Sequence, residues 1–264
     1  MTDRLANGTL LVDRDEAIAT ITLNRPQKLN ALTKAMWGAL GEAVAGLGRD
    51  PGVRCIVIRG AGERAFSPGN DIGEFARERS NKREAKAYGR FMHDTAHALA
   101  ECPVPIVAEI HGICVGGGLE IASLCDLRIC GASSRFGAPI KNLGLVMAYA
   151  EMAPLVRLAG PAVALEILLE GRIFDAAEAK AKGLVTRVVP DDEVTREARA
   201  SAARIAEGAP LVARWHKKFA RRLADPAPIS PQEADECFDC FDTEDFRIGY
   251  AAFLAKQKPA FKGR

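Results

Sequence analysis

Apolar and polar positions along the chain change period several times, and each change marks an element. Residues 9–12 and 17–23 alternate like half-buried strands, and the polar Asp13, Arg14, Asp15 and Glu16 between them predict a hairpin. A polar loop over 24–30 follows. Thr33 is then placed to cap a helix whose apolar positions Met36, Leu40, Val44 and Leu47 recur at helical spacing. Asp50, Pro51 and Gly52 end that helix, and the apolar run 55–58 predicts a buried strand. Residues 75–90 are dominated by charges of both signs, which predicts a solvated, mobile helix. Beyond it, His93 and His97 sit at i and i+4; no third ligand accompanies them, so they read as ordinary helix histidines and predict no metal.

The most informative stretch is 105–126. Ile106–Ile110 is a short apolar run bounded by Pro105 and Gly112, hence a buried strand. Gly116, Gly117 and Gly118 follow, and Leu119, Ile121, Ala122 and Leu124 then form a helix with few polar positions. A strand feeding a glycine turn and a helix leaves unpaired backbone N–H groups at the helix start. Without Cβ atoms, the glycines let an electron-rich group approach those donors. Glu120 stands in the first helical turn beside them, so donors plus a carboxylate predict an oxyanion pocket with a general base. No Lys-Ser or Lys-Thr pair follows the glycines, and the spacing is not that of a dinucleotide loop. A second glycine-rich loop, 60–74, also follows a strand; its Pro68, Gly69 and Asn70 favour a turn whose N–H groups face the first across a cleft.

The remaining pattern gives strands at 127–130 and 135–138, a turn at 140–144, and a helix over 147–158 that carries Glu151 among apolar neighbours. Helices at 162–169 and 176–182 and a strand at 186–189 complete the alternation. Only helices are predicted afterwards, over 193–207, 211–223, 231–241 and 243–256, which suggests a separate helical layer packed on the core or on a partner subunit.

Length and composition narrow the class. With 264 residues, 48% of them hydrophobic and 27% charged, the chain can bury a substantial core. A net charge of +2 argues against nucleic-acid binding. Seven cysteines, an odd and scattered set, predict reduced thiols rather than a disulfide framework, and the lone CxxC of Cys237 and Cys240 has no second pair. The start of the chain has no apolar signal core and no stretch reads as a bilayer span, so a soluble cytoplasmic protein without membrane partners is expected.

Several segments, in order over nearly the whole chain, resemble the crotonase family, the enoyl-CoA hydratase/isomerase superfamily. They are Ile-Thr-Leu-Asn-Arg-Pro at 21–26 with Leu-Asn-Ala-Leu at 29–32, Ala-Phe-Ser-Pro-Gly-Asn-Asp-Ile at 65–72, and His-Gly-Ile-Cys-Val-Gly-Gly-Gly-Leu-Glu at 111–120. Cys125-Asp126, Phe136-Gly137, Asn142 to Gly144, the run 179–185, Ala252-Phe253 and Lys256 to Phe261 continue the series. The resemblance implies an α/β fold with a β/β/α spiral core over 1–200 and a C-terminal helical trimerisation region over 201–264. It also implies a homotrimer or a dimer of trimers. The implied substrate is an acyl-CoA thioester, with no cofactor beyond the coenzyme A that the substrate carries.

By position, the resemblance implies that the N–H groups of Asn70 and Gly117 hold the thioester oxygen while an enolate develops. Glu120 is implied as the principal acid/base. Contacts to coenzyme A are implied at Lys28, Leu29, Ala65, Asn70, Asp71, Ile72, Gly73, Gly116 and Gly117, with Lys256 reaching the adenine. Family hydratases hold water between two glutamates, and the second of these corresponds here to Ile140, which neither orients water nor moves a proton. Glu151, one helical turn beyond the segment where some family isomerases carry their acid/base, is the candidate replacement, with Tyr149 the alternative residue to face the cleft. A decarboxylase of the same family and a catalytically silent CoA-binding subunit are the alternatives to a hydratase or isomerase.

Overall fold

The first alternating segments pair into antiparallel strands. A computed structural model, describing residues 2–264, has β1 (Asp3–Leu5), β2 (Leu10–Asp15) and β3 (Ile18–Leu23) in one antiparallel ladder. The hairpin turn falls later than the sequence suggests, because β2 runs on through Asp15 and Glu16 takes the turn at φ 50°. In β3, Ala19, Ile21 and Leu23 are buried while the residues between them are less so, the alternation expected of a sheet with one core face. Helix α1 (Lys34–Arg49) then begins where expected, the Met36 N–H donating to Thr33 Oγ1 at 3.2 Å.

From here the chain alternates between two sheets. β4 (Cys55–Gly60) joins the first sheet beside β3, and β5 (Ala65–Ser67) starts a second, followed by α2 (Phe75–Glu78) and α3 (Lys82–Glu101). β6 (Ile106–Ile110) returns to the first sheet, β7 (Ile113–Val115) to the second, and α4 (Gly117–Leu124) follows. β8 (Leu127–Gly131), β9 (Arg135–Gly137) and α5 (Tyr149–Glu170) repeat the sequence a third time. β10 (Phe174–Asp175), α6 (Ala176–Ala181) and β11 (Arg187–Val189) close the two sheets, whose orders are 1-2-3-4-6-8-11 and 10-9-7-5. Three successive β-β-α turns make the spiral that the resemblance implied. The short strands of the second sheet, two or three residues each, are too brief for a periodicity to mark, and β5, β7 and β10 escaped the sequence reading.

Two expectations need correction. The charged 75–90 segment is largely exposed, as its charges suggest, but it is not one helix: α2 ends at Glu78, and α3 starts at Lys82 and runs on to Glu101, burying Tyr88, Met92, Ala96 and Leu99 at helical spacing against α1. Its charges occupy the other faces and mask the apolar stripe. The second concerns α5. By length and apolarity it could cross a bilayer, which no stretch was expected to do. Gly160, at φ 80° and ψ 163°, breaks its helical path just before Pro161, and Pro154, Leu155, Ala164 and Ile167 are buried in the protein.

After β11, α7 (Val194–Ala206) lays Ala198 and Ala202 on Cys55, Val57, Val107 and Ile129 of the first sheet. Beyond it come α8 (Pro210–Arg222), α9 (Pro231–Asp235) and α10 (Glu244–Ala255); exposed apolar side chains gather on α10, at Tyr250, Phe253 and Leu254, and on the segments between these helices, at Leu223, Ile229, Phe238 and Phe241. Cys55, Cys102, Cys114, Cys125 and Cys130 are buried free thiols, and burial pushes Cys55, Cys125 and Cys130 up to about 12.

Asn30 joins these parts. It is fully buried at φ 64°, its Nδ2 donates to Ala65 O at 2.7 Å and Ala61 O at 3.1 Å, and its Oδ1 accepts from the Arg25 N–H at 3.1 Å. Asn30→Ala strands those backbone groups inside the protein. We expect a loss of about 1–3 kcal/mol in urea unfolding, and an unchanged unfolding midpoint would show that water reaches the loop.

Candidate active site

Three adjacent strand ends build the site. β5 and β7 run parallel with Ser67 opposite Cys114, and β7 and β9 run parallel with Val115 opposite Gly137. Parallel, aligned strands bring their carboxyl ends together, where α/β proteins commonly form ligand clefts. β5 leads into Pro68, Gly69 and Asn70; β7 into Gly116, Gly117 and Gly118; β9 into Pro139 and Ile140. Together they wall a cleft of about 350 Å³ lined by Asn70, Asp71, Ile72, Gly116, Gly117 and Ile140, with Phe75, Leu143 and Leu145 on its apolar sides.

Close approach of the first two loops depends on missing side chains. A Cβ on Gly118 would lie 2.1 Å from Ser67 O, and one on Gly69, which sits at φ 95°, would lie 2.6 Å from Gly117 N. Leu32 brackets Asn70 from behind: its N–H donates to Gly69 O at 2.8 Å and its carbonyl accepts from the Asp71 N–H at 2.8 Å. That ladder turns the Asn70 N–H to the opposite side. The N–H groups of Asn70 and of Gly117, the first residue of α4, have no acceptor among the described residues. The Asn70 side chain points away from the cleft, with Oδ1 accepting from Trp37 Nε1 at 2.6 Å and Nδ2 lying 3.7 Å from Met92 Sδ. Trp37 is fully buried on α1 and also packs under Gly117, so one indole braces both loops.

Behind this wall lies a group of charges. Glu120 is only 4% exposed, and its Oε1 has no hydrogen-bond partner among the described residues. Burial, reinforced by the charge of Glu151 and opposed by Arg79, pushes the Glu120 carboxyl well above its ordinary value. Glu151 points inward from the first turn of α5, where its Oε2 accepts from the Ala148 N–H at 3.1 Å and its Oε1 lies 3.4 Å from His93 Nε2. Tyr149 is 94% exposed, whereas the Glu151 side chain is mostly buried. His93, read from sequence as an ordinary helix histidine, stands beside this candidate carboxylate.

The other predicted positions divide. Asp71 lines the cleft and pairs with Arg25 at 2.9 Å; partial burial disfavours its charge, but Arg25 and the Gly73 N–H hold it below the usual carboxylate range. Ala65 is buried behind the wall, where its carbonyl accepts from Asn30. Lys28 and Leu29 lie on the turn before Asn30, and Gly73 on the short helical turn after Asp71, all outside the cleft lining. Lys256 ends α10 at φ 54°, exposed and away from that wall. Trp37 and His93, which contact Asn70 and Glu151, carried no signal of the site in the sequence because each belongs to a helix whose pattern shows only packing or solvation, and Arg79 follows a short helix in a run of mixed charges. Among the described residues, no three His, Cys, Asp or Glu side chains converge as a metal site.

A buried carboxyl with a raised folded-state value favours folding fully below the ordinary value of 4.5, and that contribution is lost as pH rises through the folded value. Glu120→Gln mimics the protonated form. The variant is expected to melt higher than wild type at pH 8, by about 2–4 °C for each kcal/mol gained, with the difference vanishing toward pH 4. A pH-independent difference would mean that Glu120 is not held neutral by burial.

The model of the enoyl-CoA hydratase/isomerase family matches residues 13–264. A solved structure from Magnetospirillum magneticum, described as an enoyl-CoA hydratase/carnithine racemase, is 51% identical with a TM-score of 0.95, covering 97% of this chain and 96% of that one. The probable enoyl-CoA hydratase of Mycobacterium tuberculosis is 37% identical over 97% of this chain and 98% of its own length. The crotonyl-CoA hydratase of Syntrophomonas wolfei is 31% identical over 97% of this chain and 99% of its own length. A match of this extent, on a spiral of three β-β-α turns, places the chain in the enoyl-CoA hydratase/isomerase family.

Proposed function

We propose that the chain interconverts enoyl-CoA thioesters through an enolate held by the N–H groups of Asn70 and Gly117. The observation that carries this reading is the pair of acceptor-free N–H groups on neighbouring loops of one cleft, with Glu120 one turn further along α4. Negative charge gathers on the thioester oxygen only as the α-proton leaves, so donors fixed in advance favour the transition state; one such donor is worth ~10²–10³ in rate. Glu120 moves the proton at the α-carbon or its neighbour. Its raised value suits a group that must both take and return a proton near neutral pH.

Glu151 is the second carboxylate in this scheme. Its charge reaches Glu120, and His93 orients it from α3. Ile140, Leu143 and Leu145 make the opposite wall apolar, which favours proton relocation within the acyl chain over addition of water. Coenzyme A would run past Lys28, Leu29 and the 70–73 loop, with Lys256 contributed at the adenine end, and no other cofactor is required. Exposed Leu223, Phe238, Tyr250, Phe253 and Leu254 on the C-terminal helices support assembly of residues 201–264 into a homotrimer or a dimer of trimers, working in the cytoplasm.

Proton exchange at the α-carbon tests the scheme, measured in deuterated water with crotonyl-, 3-enoyl- and saturated acyl-CoAs while hydration is followed by loss of enoyl absorbance. Glu120→Gln and Glu151→Gln are each expected to slow exchange by ~10²–10⁴, the usual contribution of a positioned acid/base. Full exchange in Glu151→Gln would reduce that residue to a helix cap. Ile140→Glu is expected to raise hydration relative to isomerisation. Wild type inert on the whole panel would contradict the proposed activity.

A further inference from the structure

One cation of the site has no anionic partner. Arg79 follows α2 and is half-buried, its guanidinium lying 4.6 Å from the Phe75 ring centroid and 5.0 Å from that of Tyr88. Two carboxylates sit nearby in sequence, yet both are engaged elsewhere. Glu74 accepts from the Lys34 N–H at 2.8 Å and from the Tyr88 hydroxyl at 3.1 Å, and Glu78 pairs with Lys34 Nζ at 2.8 Å. Among the described residues no carboxylate lies within ion-pairing distance of Arg79, whereas Arg14, Arg25, Arg59 and Arg172 all have such partners. An arginine keeps its charge at any accessible pH, and its planar fork suits a carboxylate better than any other small group.

The position of that charge matters as much as its lack of a partner. Nη1 lies 4.0 Å from Met92 Sδ, and the same sulfur lies 3.7 Å from the Asn70 side-chain amide. A single buried side chain thus separates the guanidinium from the residue whose N–H faces the thioester. Phe75, the ring beneath the guanidinium, lines the cleft itself. Arg79 is also the cation whose charge opposes the rise of the Glu120 carboxyl, and the ring that it stacks on belongs to the cleft wall.

We infer that Arg79 is a specificity-determining residue that receives a carboxylate at the far end of a short acyl chain, making the preferred substrates mono-CoA thioesters of small dicarboxylic acids. The inference rests on the proposed acyl-CoA activity and names the class of acyl group it serves. The rings of Phe75 and Tyr88 flank the guanidinium, and no carboxylate among the described residues takes its N–H groups. Met92, buried, unbranched and adaptable, lies between the guanidinium and the Asn70 side chain. A trimethylammonium in place of the carboxylate meets like charge and is rejected.

The test uses three probes alike except at C4: crotonyl-CoA, glutaconyl-CoA with a carboxylate, and 4-trimethylammoniocrotonyl-CoA with a cation. Turnover is measured for wild type, Arg79→Gln and Arg79→Lys, together with calorimetric binding of glutaryl-CoA against butyryl-CoA in a Glu120→Gln background. Wild type is expected to favour glutaconyl- over crotonyl-CoA in kcat/KM, and glutaryl- over butyryl-CoA in binding, by roughly 10- to 100-fold, the range for a hydrogen bond to a charged group. Arg79→Gln should erase the preference mainly through KM, and Arg79→Lys should restore part of it. A wild type without preference for the carboxylate overturns the inference whatever the variants do. Equal losses on all three probes, with a displaced pH profile, would instead assign Arg79 to tuning Glu120. Binding preference without turnover on any probe would contradict the proposed activity and leave the assignment of Arg79 standing.

Discussion

The site exists because β5, β7 and β9 lie side by side and end together. Each strand is only three residues long, and none has enough ladder hydrogen bonds to hold its own place. Each is fixed by the longer strand before it: β4, β6 and β8 form the centre of the first sheet and are buried along most of their length. The spiral transmits the register of a large, stable sheet to a small one. The small sheet in turn sets the loops of Asn70, Gly117 and Ile140 around one cleft. Gly69 and Gly118 then allow the backbones to approach more closely than side chains would permit, and Trp37 holds both loops from beneath.

This arrangement places costly groups in the interior. Among the described residues, two backbone N–H groups lack acceptors, Glu120 is buried with an orphan oxygen, and the half-buried Arg79 has no counter-ion. Elsewhere the protein pairs its buried polar groups with care: Glu109 lies among Arg59, His111 and Thr195, and Asn30 uses both ends of its amide. Apart from the buried Arg128 Nε on β8, which lies outside the cleft lining, these unsatisfied groups lie in one region, as expected where a ligand completes the hydrogen bonding. Arg79 and Glu151 act on Glu120 in opposite directions.

Much of this was legible in the sequence because the central elements have strong local signals. The 105–126 stretch combines an apolar run, three glycines and a first-turn glutamate, and each of these features is a direct consequence of how the loop must pack. Ile140 could be identified as a departure because it follows a recognisable Phe-Gly pair. What stayed hidden depended on contacts between distant segments. The stripe of α3 was masked by its own charges; Trp37 looked like one more core residue of α1; and His93 gained its meaning only when α5 brought Glu151 to 3.4 Å. Asn70 is the instructive intermediate. Its proposed backbone role was implied by the resemblance, but that its side chain would turn inward to Trp37 and Met92 could not be read from spacing.

The central claim is that two preorganised backbone donors polarise a thioester carbonyl. Isotope-edited infrared difference spectroscopy of bound crotonyl-CoA, labelled with carbon-13 at the carbonyl, reads that polarisation without requiring turnover. The account predicts a carbonyl stretch moved to lower frequency on binding, and a return toward the free value in Gly118→Ala, whose methyl would meet Ser67 O. An unshifted carbonyl in wild type with the ligand fully bound would contradict it.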